Sequence, residues 1–73
     1  MTTYYRCEGP VRGWCGIEHR SLRASGKCCA RDHRGCRAQG GYSDRGPVAY
    51  ETGTKRHLAP AEMSEWQEGY HGR

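Results

Sequence analysis

The sequence has no phenylalanine, and Val, Ile and Leu together number five among its 73 residues. That is an aliphatic content of about 7%, well under the roughly 20% below which a charged chain tends to stay unfolded. A core built from aliphatic side chains alone is therefore excluded. No apolar stretch approaches the roughly 20 residues that span a bilayer, so no membrane segment is expected. No apolar segment follows Met1, so no signal peptide is expected either. The length allows one domain and excludes a Rossmann pair or a barrel enzyme.

What remains is unusual in kind. Two Trp, five Tyr and five Cys are the only groups able to hold such a chain together, and mean hydropathy is -1.05. Small domains with thin cores need a metal, disulfides or a partner. The cysteine count is odd, and the chain reads as intracellular and cytoplasmic, where thiols stay reduced. Both points weigh against a disulfide framework.

Twelve basic and eight acidic residues give a net charge of +4, and ten of the twelve are Arg. Residues 1–37 carry eight basic and three acidic groups (+5); residues 38–73 carry four and five (-1). A basic first half implies an anionic partner, either nucleic acid or an acidic protein surface.

Along the chain, residues 1–18 read as strands. Thr3, Tyr5 and Cys7 share one face, with Tyr4 and Arg6 on the other, and Gly9-Pro10 ends the first strand. Val11 to Ile17 forms a second strand carrying Trp14. Ser21 is a favourable N-cap for a basic helix over 21–35, from Leu22 to about Arg34, with Gly35 as its left-handed terminator. Gly26 inside it costs about 1 kcal/mol against Ala. Residues 38–47 are a Gly-rich loop, and 47–58 a strand or hairpin with Val48 and Tyr50 inward and a turn at Thr52-Gly53. A C-terminal helix follows over 60–70, starting at Pro60. Its stripe of Met63, Trp66 and Tyr70 reads as core, or as a groove-binding face. The fold predicted is a small single α+β domain, β-β-α-β-(β)-α, with its main amphipathic helix packed on a short sheet.

The cysteines lack the paired C-x-x-C spacing that identifies a zinc site. Their chemistry suits one nonetheless. Cys7 and Cys15 flank the Gly-Pro break, Cys29 lies on the inner helical face, and Cys36 follows the expected helix end. These four are the predicted ligands of a structural zinc, with Cys28 as substitute for Cys29. His19 and His33 read as ordinary polar residues. Two alternatives stay open, buried free thiols and disulfides.

Arg20, Arg23, Lys27, Arg31 and Arg34 line one helical face, with Arg37 just beyond, and only Asp32 offsets them. Such a face can neutralise phosphates or remain a solvated surface. In the Gly-rich loop, Tyr42 and Arg45 can stack a base and grip a phosphate, or belong to a plain connection of Asx and glycine turns; Gly-Lys-Ser/Thr, the ending of a nucleotide loop, is missing. Cys15 and His19 are the minimum for a thiol nucleophile, but no oxyanion motif accompanies them. No catalytic residue and no small-molecule substrate is assigned. The functions expected are a non-enzymatic nucleic-acid-binding module or a small protein-binding regulator or inhibitor.

Overall fold

The structure, a computed structural model, describes residues 3–72, so the first two residues of the expected strand region lie outside it. It is a small α+β fold of four antiparallel strands and two helices. In chain order these are β1 (Thr3–Gly9), β2 (Gly13–Trp14), α1 (Leu22–Ala38), β3 (Gly46–Glu51), β4 (Thr54–Arg56) and α2 (Pro60–Tyr70). The sheet order is β2-β1-β3-β4. Alternation along β1 divides the sheet into two faces. Tyr5 and Cys7, paired with Ala49 and Pro47, face the helices. With Leu22, Cys29 and Trp66 they form the core, completed by Leu58, Met63 and Tyr70.

On the far face, Tyr4 pairs with Tyr50 and Arg6 with Val48. The rings of Tyr4 and Tyr50 stack at 5.3 Å. The Arg6 guanidinium lies 4.0 Å from the Trp14 ring centroid and 4.4 Å from that of Tyr50, an arrangement favoured by the negative faces of the rings. This corrects the expected strand orientation. Tyr50 points away from the helices, and Ala49, fully buried, takes the inward position.

Ser21 caps α1 as expected, its hydroxyl accepting the Ala24 N–H at 3.1 Å. The helix does not stop at Gly35. It runs one turn further and ends in a Schellman motif: Gly40 has φ +85°, Gly41 N–H reaches the Cys36 carbonyl at 2.9 Å, and Gly40 N–H reaches that of Arg37 at 3.1 Å. A glycine terminates a helix where it turns left-handed, and Gly40, not Gly35, does so. The expected second strand shrinks to Gly13–Trp14, since the positive φ values of Gly13 and Gly16 interrupt the extended run. The hairpin turn falls at Thr52 (φ 49°) and Gly53 (φ 83°), the left-handed pair that suits a two-residue loop. β4 stops at Arg56, short of Leu58. α2 matches its predicted bounds, and its Met63, Trp66 and Tyr70 stripe packs into the core.

Candidate metal centre and basic helix face

β1 organises one end of the domain. The chain after the Gly9 turn pairs back along it, with Gly13 opposite Gly9 and Trp14 opposite Glu8. The Cys15 N–H then donates to the Cys7 carbonyl at 2.9 Å. In unbroken register residue 17 would face Tyr5. Instead Tyr5 and His19 exchange both backbone hydrogen bonds, each at 2.8 Å. The two extra residues are accommodated as a bulge around Gly16, whose φ is +82°, and a bulge re-aims the side chains beside it. Cys15 Sγ and His19 Nε2 end 3.5 Å apart.

The third and fourth members come from β1 and α1. Cys7 is fully buried, with its Sγ 3.1 Å from the Ser25 carbonyl and 3.5 Å from the Ser25 hydroxyl. Cys28 reaches the group from the flank of α1. One ligand atom from each of Cys7, Cys15, His19 and Cys28 lies within 4.8 Å of all the others, so the four could hold a metal ion. For comparison, tetrahedral zinc with ordinary Zn–S and Zn–N lengths has ligand–ligand edges of about 3.5–3.8 Å. The Cys15–His19 edge is already at that value.

Burial and mutual contact favour the neutral thiol at two of the three cysteines. A hydrogen bond with Cys29, then burial, holds the Cys7 thiol well above the usual thiol range. Burial, and then the neighbouring Cys7 and Cys15 charges, push Cys28 up to about 12. Cys15 moves the other way. Burial opposes its thiolate, but hydrogen bonds with the backbone of Cys7 and Ile17 and with the Cys28 thiol outweigh it. Burial lowers His19, keeping the imidazole neutral and able to ligate. A divalent ion reverses the sign of the mutual repulsion and makes three adjacent thiolates favourable.

The structure groups a set different from the predicted one. Cys7 and Cys15 come together as expected. Cys29 lies outside the group of four; it hydrogen-bonds with Cys7 and packs with Leu22 and Trp66 in the core. Cys36 stays outside the group because α1 continues straight through Gly35. Eight residues of helix separate it from Cys28, about 12 Å along the axis. His19 and Cys28 take these places. The Cys15-x3-His19 spacing was the visible signal for His19. His33 is engaged elsewhere, between the Tyr70 hydroxyl at 2.7 Å and the Arg45 carbonyl at 2.8 Å.

No protein-family model, curated protein or solved structure matches the chain.

The cations divide into two populations. Arg6, Arg12, Arg23, Arg45, Lys55 and Arg56 are each paired with a carboxylate. Among the described residues Arg20, Lys27, Arg31, Arg34 and Arg37 form no ion pair, and all five are exposed on α1 or directly before it. Arg23, expected among them, instead bridges to Glu68 on α2 at 2.7 Å. Arg45 is not an open cation either. It donates to Asp32 at 3.2 Å and to the carbonyls of Arg12, Gly13 and Trp14 at 3.3 Å. Asp32 also accepts from Arg12 at 2.8 Å and from the Ser43 hydroxyl, and these partners hold its carboxyl below the usual range despite its partial burial. Tyr42 stands out from this clamp, 85% exposed. No helix of the described residues is long and apolar enough to cross a membrane.

Proposed function

We propose that the chain is a small nucleic-acid-binding module, stapled by a structural zinc ion and binding phosphates with the exposed face of α1. The segregation of charge supports this reading. All five described cations without a carboxylate partner lie on one helical face or at its entrance, while six others are paired internally. A solvated face with no binding role has no need to exclude acids so completely, and i, i+4 ion pairs would stabilise the helix. Arg predominates among the five, and its guanidinium matches phosphate geometry better than an ammonium does.

Zinc suits the donor set of three thiols and one imidazole. Four protein ligands leave no open position, so the ion would stabilise the fold and supply no catalytic water. In a chain with only five Val, Ile and Leu residues, two of them exposed, its binding energy is folding energy. Free cysteines fit a reducing compartment such as the cytoplasm.

The test has two arms. Native mass spectrometry reads one zinc per chain, lost with the circular dichroism spectrum on adding chelator. Binding to random-sequence DNA is then followed against salt. Changing Lys27, Arg31 and Arg34 together to Gln leaves the melting temperature near that of the unmodified chain. It lowers the salt slope on duplex by about 0.9 for each phosphate that is no longer neutralised. Undiminished binding by the folded triple variant would refute the assignment of this face.

A further inference from the structure

The loop between α1 and β3 is held unusually firmly for an exposed connection. Before Tyr42, Gly41 is bonded to the helix end. After it, Ser43 is bonded to Asp32, and the Asp44 carboxylate accepts the Val11 N–H at 2.8 Å and the Arg12 N–H at 3.3 Å. Arg45 follows with its four-way clamp. Every neighbour of Tyr42 is fixed, yet Tyr42 itself is 85% exposed and, with Val11 (87% exposed), Arg12 and Asp44, lines a hollow of about 190 Å³. A large ring whose flanking residues are held by so many hydrogen bonds, and which is left this exposed among the described residues, offers a face to a flat ligand.

The hollow does not stand alone. Arg12 also lines a groove along α1 that contains Arg31, Cys36 and Gln39. Arg31 in turn lines a second groove, between α1 and the end of α2, with Lys27, Arg34 and His71. Neighbouring depressions thus share an arginine in their walls, Arg12 between the hollow and the first groove and Arg31 between the two grooves. Among the described residues the only carboxylate lining the two grooves is Asp32, which is already occupied by Arg12, Arg45 and Ser43.

We infer that this track takes a single-stranded nucleic acid. One unpaired base stacks on Tyr42 against Val11, and the adjoining phosphates run past Arg12 and Arg31 into the Lys27–Arg34 groove. The inference rests on the nucleic-acid reading above and narrows its partner. A base suits the hollow better than a phosphate, because two walls are a ring and an aliphatic chain, the Arg12 guanidinium is already paired with Asp32, and a carboxylate stands at the rim. That carboxylate repels phosphate and can accept an exocyclic amino group. Within a duplex, bases are stacked and paired and cannot reach Tyr42. In a single strand each base offers a free π-face.

The experiment uses the zinc-loaded full chain and fluorescently labelled thymidine and cytidine oligonucleotides of roughly twelve residues, a length of the order that small single-strand modules cover. A duplex of equal length serves as comparison, with anisotropy measured at low salt. The single strands are expected to bind more tightly than the duplex. Tyr42→Ala should weaken single-strand binding about tenfold or more, as expected on removing one base stack, with an unchanged melting temperature. Tyr42→Phe should retain binding. If Tyr42→Ala binds single strands as the unmodified chain does, while Arg31→Gln with Arg34→Gln abolishes binding, the stacking site is overturned and the basic-face reading survives. Equal or tighter binding of duplex overturns the single-strand assignment. No binding of either form overturns both.

Discussion

Replacing Gly26 by Ala should destabilise this domain, although the same change stabilises most helices. Gly26 and Gly69 sit where α1 crosses α2. A Cβ on Gly26 would run into the Trp66 carbonyl oxygen and come within 2.7 Å of the Tyr70 nitrogen; one on Gly69 would come within 2.7 Å of the Arg23 Cα. These are backbone atoms and cannot swing aside. Ordinary contact is near 3.5 Å, so the helices must separate by about 0.8 Å or more. That separation loosens the packing of Trp66, which is 8% exposed. Forced expansion of a packed interface costs about 1–3 kcal/mol or more, against a propensity gain of about 1 kcal/mol. With a rigid obstacle the upper end applies, and the net loss is about 2 kcal/mol or more. In a domain of this size that lowers Tm by roughly 8 °C or more. Gly35 is the internal control. It lies in the same helix, exposed, with nothing within 4 Å of its would-be Cβ, and Gly35→Ala should raise Tm by roughly 4–8 °C. Thermal melts of the two zinc-loaded variants decide the matter. A rise in Tm for Gly26→Ala would refute the close crossing of α1 and α2.

Two further predictions concern the metal ligands and acid stability. In competition with a chromophoric chelator, Cys28→Ala and His19→Ala should each lose zinc affinity by at least tenfold, the order seen when even the partners that orient metal ligands are removed. Cys29→Ala and Cys36→Ala should keep stoichiometric zinc, and the opposite ranking would restore the inner-face ligand set. Glu62 accepts from Arg56 at 2.7 Å and from the Ala59 N–H at 2.9 Å. These bonds lower its carboxyl from the ordinary 4.5 to about 2 in the folded state. Its contribution is therefore fully present above about pH 4.5 and is lost as pH falls toward 2. The gap in chemical-denaturation stability between the unmodified chain and Glu62→Gln should shrink over that window, and a pH-independent gap would exclude the carboxylate as its source.

Much of the fold was legible because local signals agreed with one another. Ser21 before an amphipathic run, Pro60 at a helix start, Thr52-Gly53 between extended segments, and the alternation of Tyr5 and Cys7 against Tyr4 and Arg6 each carry their own physical cause. The misreadings arose where the same local signal has two outcomes. Gly35 and Gly40 both suit a helix terminator, and only hydrogen bonding from Gly40 and Gly41 back to Arg37 and Cys36 tells them apart. Gly26 looked like a weakness in the helix, since its use depends on α2, some forty residues away in sequence. Val48 and Ala49 are both buried, one on each face of β3. The expected alternation put Val48 and Tyr50 inward, whereas the register, with Ala49 opposite Tyr5, turns Ala49 inward.

The group of residues that could hold a metal was half legible, for a reason that applies beyond this chain. The helical wheel identifies the most inward cysteine, and Cys29 is indeed that residue. A position in the middle of a helix–sheet interface is enclosed by side chains from both layers, however, so a thiol there meets Leu22 and Trp66 before it meets an ion. A ligand delivered from a helix to a site at the edge of a sheet has to come from the flank, where one side is open to the chain beyond. Cys28 occupies that flank, partly buried, one residue from the core position. His19 was obscured by a related assumption. Read as a continuous strand, residues 11–17 carry the chain past Tyr5 and leave His19 beyond it. With the bulge around Gly16, His19 itself pairs with Tyr5, and Cys15 and His19 turn toward one point. The backbone irregularity that weakened the second strand is thus the feature that brings the imidazole to the thiols.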